Sequence, residues 1–340
     1  MKKLGICVIG VGEMGKRHAE NLRRRVPEAQ LIAIADVSAP RVQQVARELE
    51  IEHAYTSLEE ALLRKDIHAV VIATPDKFHA AVIQAAAAAG KDILCEKPLA
   101  ITLEDAQSAL EAVSHSGVRL QVGFMRRYDP AYVAARKRLE AGEIGTPLVF
   151  KSVGRDKDEP PLAAYQSGVN GMLFYTNTIH DFDMARWLMQ DEVAEVHCYA
   201  TSTTRPELAD YGDVVASVIN LKFCKGGIGN IDSHAQALYA YDVRTEIIGS
   251  KGSMFIGSVE GAPATFLSST GASAVLADHF LSRFADAYLI EARTFVDTVL
   301  SGNAPQVNGE DGLRALEIAV AAEKSHRNGQ PCKVTRQAAD

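Results

Sequence analysis

Runs of apolar residues of strand length alternate with amphipathic stretches along the first part of the chain. Lys3–Ile9 is apolar and is followed by an amphipathic stretch to about Arg25. Gln30–Ala35 precedes a helical pattern over Ser38–Leu49, and His53–Tyr55 precedes another over Ser57–Leu63. Ala69–Ala73 leads into the Ala-rich segment Phe78–Ala89, which Gly90 stops before the next apolar run, Asp92–Cys95. Apolar runs of strand length alternating with helical patterns predict βα units and hence a parallel, doubly wound sheet. Later the pattern changes. Leu148–Val153, Val193–Ala200, Val214–Phe223, Gly227–Ser233 and Asp242–Ile248 read as strands with turn signals between them, and helices are expected at about Pro130–Ala141, Thr178–Met189, Phe280–Leu300 and Asp311–Asn328. At 340 residues the chain is too long for one ordinary core. The expected division is a first domain over 1–123 and an α+β second domain over 124–340, with a site between them.

The turn after the first strand reads Gly10-Val11-Gly12-Glu13-Met14-Gly15. Gly10 permits the tight turn, Gly12 lets a pyrophosphate approach the backbone, and Gly15 lets helix and strand pack closely. The phosphates would sit on free N–H groups at the helix N-terminus, at Glu13 and Met14. The second strand ends in Asp36, at the spacing where a carboxylate accepts from the adenosine ribose hydroxyls and repels a 2'-phosphate. The structural alternative is that Asp36 caps the helix after it. This fingerprint makes residues 1–123 a Rossmann domain and NAD the expected cofactor. Thr74-Pro75 and Glu96-Lys97-Pro98 follow two further strands, which puts them on the same sheet edge as the glycine turn. A chain leaving a core strand usually turns through Gly, Asn, Asp or Ser. A lysine between Glu96 and Pro98 is instead expected to face the bound nicotinamide.

Composition narrows the function. Hydrophobic residues at 47% and charged residues at 23% are those of a globular protein. A net charge of -7 argues against a nucleic-acid or anionic-membrane partner, and the basic run Arg23-Arg24-Arg25 reads as complementing the end of a helix dipole. The scattered Cys7, Cys95, Cys198, Cys224 and Cys332 suit free thiols in a reducing compartment, so the cytoplasm is expected. No stretch approaches the ~20 apolar residues of a membrane span. No His, Cys and carboxylate cluster has ligand spacing, so no metal is expected.

GVGEMG at 10–15, TPDKFHA at 74–80, CEKPLA at 95–100, GFMRRYDP at 123–130, HDFDMARWL at 180–188 and YDVRTEIIGSKG at 241–252 together make the chain resemble the Gfo/Idh/MocA family of NAD(P)-dependent oxidoreductases, and within it the inositol dehydrogenases. The resemblance implies a second domain built on a large, mostly antiparallel open sheet whose face packs on another subunit, in a dimer or tetramer. It adds Glu96 and His79 to the cofactor set and implies that the Lys97–Pro98 bond is often cis. It also implies a substrate set of Arg127, Asp156, Thr176, Asn177 and Tyr241, with an ion pair to Asp129 or another acid as the alternative for Arg127.

The implied reaction is the reversible oxidation of a secondary hydroxyl of a cyclic polyol or sugar, an inositol above all. Lys97 would polarise the reacting oxygen and His180 would exchange its proton. The family pattern places Asp four residues before that histidine, one helical turn away. Here the position is Thr176, with Asn177 beside it. Asp76 stands where many relatives carry Asn. Two other readings stay open: a sugar oxidoreductase with tightly held NAD(H) and a ping-pong cycle, and a non-catalytic NAD(H)-sensing protein.

Overall fold

In a computed structural model, residues 3–157, 162, 165, 173–258, 260–269 and 271–336 are described. The chain divides into two compact units, Met1–Met125 with Asp286–Leu316, and Arg126–Ala285 with Glu317–Ala338.

The first unit holds a six-stranded sheet in the order β3-β2-β1-β4-β5-β6, from β1 (Leu4–Ile9), β2 (Ala29–Ala35), β3 (His53–Tyr55), β4 (Ala69–Ile72), β5 (Asp92–Glu96) and β6 (Leu120–Gly123). Every pairing is parallel. β1 and β4 are buried at every position, as expected for parallel strands covered on both faces, which explains their unbroken apolar runs. The helices between them are α1 (Glu13–Arg24), α2 (Ala39–Leu49), α3 (Leu58–Leu62), α4 (His79–Ala88) and α5 (Leu103–Ser116). Their ends follow sequence chemistry: Ser57 and Thr102 cap α3 and α5 by accepting from the amides of Glu60 and Asp105, and Gly117 closes α5 at φ 68°.

This unit is not a continuous piece of chain. The segment Asp286–Leu316 returns to it, a return that a linear division between 123 and 124 does not express. Leu289, Ala292, Phe295 and Val296 join the core built by Leu4, Ile6, Val8, Leu22 and Leu31. Burying a side chain the size of Phe295 contributes about 1.5–3 kcal/mol, enough to fix the returning helix on the sheet.

The second unit holds α6 (Pro130–Glu140), β7 (Pro147–Arg155), α7 (Leu173–Thr176), α8 (Ile179–Met189), β8 (Val193–Thr201), β9 (Ala216–Phe223), β10 (Ile228–His234), β11 (Asp242–Gly249), β12 (Ser253–Ile256), β13 (Glu260–Ser268), β14 (Gly271–Leu276) and α9 (Phe280–Arg283). The last elements are α10 (Ala285–Ser301), α11 (Gly309–Asn328) and β15 (Cys332–Lys333). Of these, α10 and the start of α11 lie in the returning segment, while the rest of α11 and β15 belong to the second unit. A seven-stranded sheet has the order β12-β11-β7-β10-β9-β8-β15; only β7 and β10 pair in parallel, so it is mixed and mostly antiparallel. β13 and β14 form a separate hairpin. Strict alternation along β9 buries one face and exposes Val218 on the other, with Tyr199 and Ile228 of neighbouring strands also exposed.

Two helices differ from expectation. Phe280–Leu300 is interrupted because Phe284 leaves helical geometry to bury its ring completely. The stretch around Thr176 and His180 is also broken: Thr176 ends α7 and His180 is the second residue of α8, with the amides of Asn177 and Thr178 both bonded to the Leu173 carbonyl. The two side chains are therefore not one turn apart on one continuous helix. Among the described residues, no helix is long and apolar enough to cross a membrane.

Candidate active site

Parallel pairing puts the carboxyl ends of β1, β2, β4 and β5 on one edge, and with them the glycine turn, Asp36, Thr74-Pro75 and Glu96-Lys97. Gly10 has φ 82°, and a Cβ there would press on the Ala73 carbonyl at 2.5 Å. A Cβ at Gly15 would overlap the Gly10 carbonyl, whereas one at Gly12 would meet nothing within 4 Å. Two glycines thus serve the fold, and the third leaves open space over the N-terminus of α1, which has no side-chain cap. That is the cradle a pyrophosphate requires.

Asp36 accepts from the Val11 amide at 2.9 Å and the Ser38 amide at 2.8 Å, with Arg41 at 3.5 Å. It ties the glycine turn to the end of β2 and also accepts from the amide of Ser38, the residue before α2, while the first turn of α2 has no side-chain cap. A carboxylate offers about four acceptor sites, which leaves capacity for ribose hydroxyls. Thr74 Oγ1 is buried without a hydrogen-bond partner among the described residues, an orphan polar atom beside the cradle. These features fit an NAD molecule.

His79 is fully buried, its Nδ1 2.7 Å from the Pro98 carbonyl and its Nε2 2.8 Å from the Thr74 carbonyl. The ring fastens the turn after β4 to the turn after β5. Glu96 directs its carboxylate to His18 of α1, Oε1 to Nε2 at 2.7 Å. Burial works to raise Glu96, but the His18 hydrogen bond and the charges of His18, Lys97 and His79 outweigh it and leave it below its usual range. Asp76 is held above its usual range by burial, with Lys97 and His79 pulling against that effect. The Lys97–Pro98 bond is cis.

In the second unit, hydrogen bonds join four of the expected substrate and catalytic residues. The Thr176 hydroxyl donates to Asn177 Oδ1 at 2.7 Å, Asn177 Nδ2 donates to Asp156, and the His180 amide bonds to the Asn177 carbonyl at 3.3 Å. Asp156 is pinned through its backbone to His234 and Ala237. Tyr241 is buried, and its hydroxyl is pushed well above its ordinary value by burial and by the Asp156 charge. Arg127 is committed elsewhere: its guanidinium makes a bidentate pair with Asp183 at 2.6–3.2 Å and lies over the Trp187 ring. The acid in that ion pair is Asp183, not Asp129, which caps α6 and pairs with Arg283.

The chain matches two family profiles in tandem, the oxidoreductase family with NAD-binding Rossmann fold over residues 4–124 and its C-terminal alpha/beta domain over residues 136–334. It belongs to the Gfo/Idh/MocA oxidoreductase family. A scyllo-inositol 2-dehydrogenase (NAD(+)) of Bacillus subtilis is 39% identical over 96% of this chain and 95% of its own. A myo-inositol 2-dehydrogenase of Thermotoga maritima is 38% identical over 94% and 95%. The crystal structure of scyllo-inositol dehydrogenase from Lactobacillus casei with bound NAD(H) and scyllo-inositol superposes with a TM-score of 0.91 at 28% identity, covering 98% of this chain and 99% of that one. This Gfo/Idh/MocA protein is accordingly an NAD-dependent oxidoreductase acting on CH–OH groups.

Sequence reasoning missed two buried polar groups around these residues. One is Arg126, beside the expected Arg127. It donates to Asp181 at 2.6 Å, Asp181 also accepts from Ser152 at 2.6 Å, and Tyr132 bonds Thr245 close by at 2.9 Å. The other is Glu291, which lies with His18 and Glu96. A glutamate inside the apolar run Tyr288-Leu-Ile-Glu-Ala was a signal for it. The Arg127–Asp183 pair gives a direct test of its structural share. Both side chains are nearly buried, so Asp183→Asn removes the anion that faces the guanidinium at two hydrogen bonds and is expected to cost about 3 kcal/mol of unfolding free energy in urea. A loss under about 1 kcal/mol would mean that Arg127 does not depend on this pair.

Proposed function

We propose that the protein oxidises a secondary hydroxyl of an inositol to the ketone, reversibly, and that Lys97 and His180 carry the proton chemistry. The observation that carries this reading is Lys97 on the sheet edge that holds the NAD cradle, in a chain alike along its whole length to inositol 2-dehydrogenases. NAD, when bound, supplies the hydride acceptor. The amides of Glu13 and Met14 would hold the pyrophosphate in the space that Gly12 leaves, with Gly10 and Gly15 shaping the turn, Asp36 would hold the adenosine ribose, and Thr74 and Pro75 would meet the nicotinamide half. Lys97 donates to the reacting hydroxyl and stabilises the negative charge that develops on its oxygen. His180 takes the hydroxyl proton at its ring as the carbonyl forms.

Asp156, Asn177, Thr176 and Tyr241 present the remaining donors and acceptors to the polyol. The Asp156 and Asn177 link brings a carboxylate near the position where the family pattern has Asp, so the negative charge is displaced rather than lost. Arg127 acts by bracing this set through Asp183. The exposed face of the large sheet, with Tyr199, Val218 and Ile228, packs on another subunit, and the enzyme works in the cytoplasm.

The experiment is NAD reduction against a panel of inositol stereoisomers and aldoses. Activity on an inositol is expected, and Lys97→Ala is expected to lower turnover by about 100-fold or more while NAD still binds. Activity on aldoses alone would replace the substrate class, and a Lys97→Ala enzyme with parental turnover would show the EKP turn to be structural. The displaced carboxylate gives a second outcome. Thr176→Asp adds a second anion beside Asn177, whose carbonyl holds the His180 amide, and favours the protonated histidine, while oxidation requires the neutral base. The apparent pKa of polyol oxidation is expected to rise by about one unit, a coupling of about 1.4 kcal/mol. The pH dependence of kcat/KM for both forms measures it, with His180→Ala as the control that removes the titration.

A further inference from the structure

Behind the turn that carries Lys97 lies a group the proposed reaction does not use. His18 of α1, Glu96 at the end of β5 and Glu291 of α10 each present a ligand-type atom, and these atoms all lie within 4.8 Å of one another. His18 and Glu291 are fully buried and Glu96 is 7% exposed. His18 Nε2 holds Glu96, while His18 Nδ1 and both Glu291 carboxylate oxygens lack hydrogen-bond partners among the described residues. The other ionisable groups around the cluster are Lys97, Asp76, His79 and the Cys95 thiol, which act on or with Glu96, and Tyr288, whose ring meets His18 edge-on at 6.1 Å.

Two carboxylates this close in an apolar enclosure cannot both be ionised without a compensating cation. Glu96 has His18 and Lys97 on its side. Glu291 has no such help, and burial together with the Glu96 charge holds it well above the usual carboxylate range. We propose that His18, Glu96 and Glu291 form a buried proton-holding network in which only one carboxylate, that of Glu96 beside Lys97, is ionised, the extra proton sitting on Glu291. Glu96 is then a positioning residue, the fixed counter-charge of Lys97, and Glu291 keeps that charge from doubling. Only the link to turnover rests on the catalytic reading of Lys97.

A neutral buried acid has a fixed sign of linkage. In the unfolded chain Glu291 ionises near its ordinary value of about 4.3. In the folded protein it keeps its proton to higher pH, so stability falls as pH rises between the two values. Glu291→Gln imitates the neutral acid and lacks this slope. Thermal unfolding of the full chain from pH 4.5 to 9 is expected to show parent and variant converging at the acid end, with the variant progressively more stable as pH rises. A variant that is less stable by a margin growing with pH would overturn the proposal, because Glu291 would then be ionised and paired. So would a parent that loses stability in chelator while the variant does not, which would make the cluster a metal site. A gap independent of pH would overturn it too. For the link to Lys97, Glu96→Gln keeps shape and removes charge, and it is expected to lower kcat about 10-fold or more while KM for the polyol stays within about 3-fold. Parental turnover in a folded Glu96→Gln enzyme would sever Glu96 from Lys97, and a Glu96→Gln chain that fails to fold leaves the pH series on Glu291→Gln as the deciding test. Parental turnover in Lys97→Ala would remove the catalytic reading instead and leave that pH series untouched.

Discussion

The close seat of α1 against β1 is the constraint on which the rest of the first unit depends. Backbone meets backbone at Gly15 and Gly10, where a Cβ would overlap a carbonyl, so the helix lies nearer the sheet than side chains would allow. That distance has three consequences. It leaves the N-terminal amides of α1 open for a phosphate, it brings the Val11 amide within reach of Asp36, and it carries His18, further along the same helix, to the carboxylate of Glu96. The cofactor cradle and the support of the EKP turn are two ends of one packing decision.

The turns at the sheet edge are held by polar ties as well as by the burial of Leu99 and Ala100. His79 spans the Thr74 and Pro98 carbonyls, and Glu96 is anchored on His18. Buried polar groups are costly unless paired, so each tie fixes one geometry strongly. A lysine whose neighbours on both sides are bound in this way has little freedom left in its backbone. Such precision suits a cation that must meet one oxygen atom of a substrate.

The second unit solves a similar problem with ion pairs. Arg126 and Arg127 are adjacent in sequence, yet one pairs with Asp181 and the other with Asp183, so the turn before α6 is fastened to α8 at two points. α8 carries His180 between those anchors and Asn177, which leads on to Asp156 at the end of β7. The polar groups expected to face a polyol therefore stand on a frame of desolvated charge pairs, where loss of one partner is far more damaging than at a surface.

Much of this was legible in the residues. The alternation of strands and helices, the glycine turn, Asp36 at the end of β2 and Lys97 at the end of β5 are local patterns, and parallel pairing turns them into one edge whatever the rest of the chain does. The five strands expected beyond residue 123 also stand, because each alternates clearly; β12 and β15 are short edge strands that present too few residues for a period to register. What only the tertiary structure decided is which charges meet. The residues place Arg127 shortly before a helix and Glu291 inside an apolar run, but several acids compete for an arginine. The choice of Asp183 over Asp129, the company Glu291 keeps with His18 and Glu96, the break before His180 and the return of Asp286–Leu316 to the first sheet all follow from long-range packing. A buried charge takes the partner that packing delivers to it, and that partner lies too far along the chain for any local pattern to name.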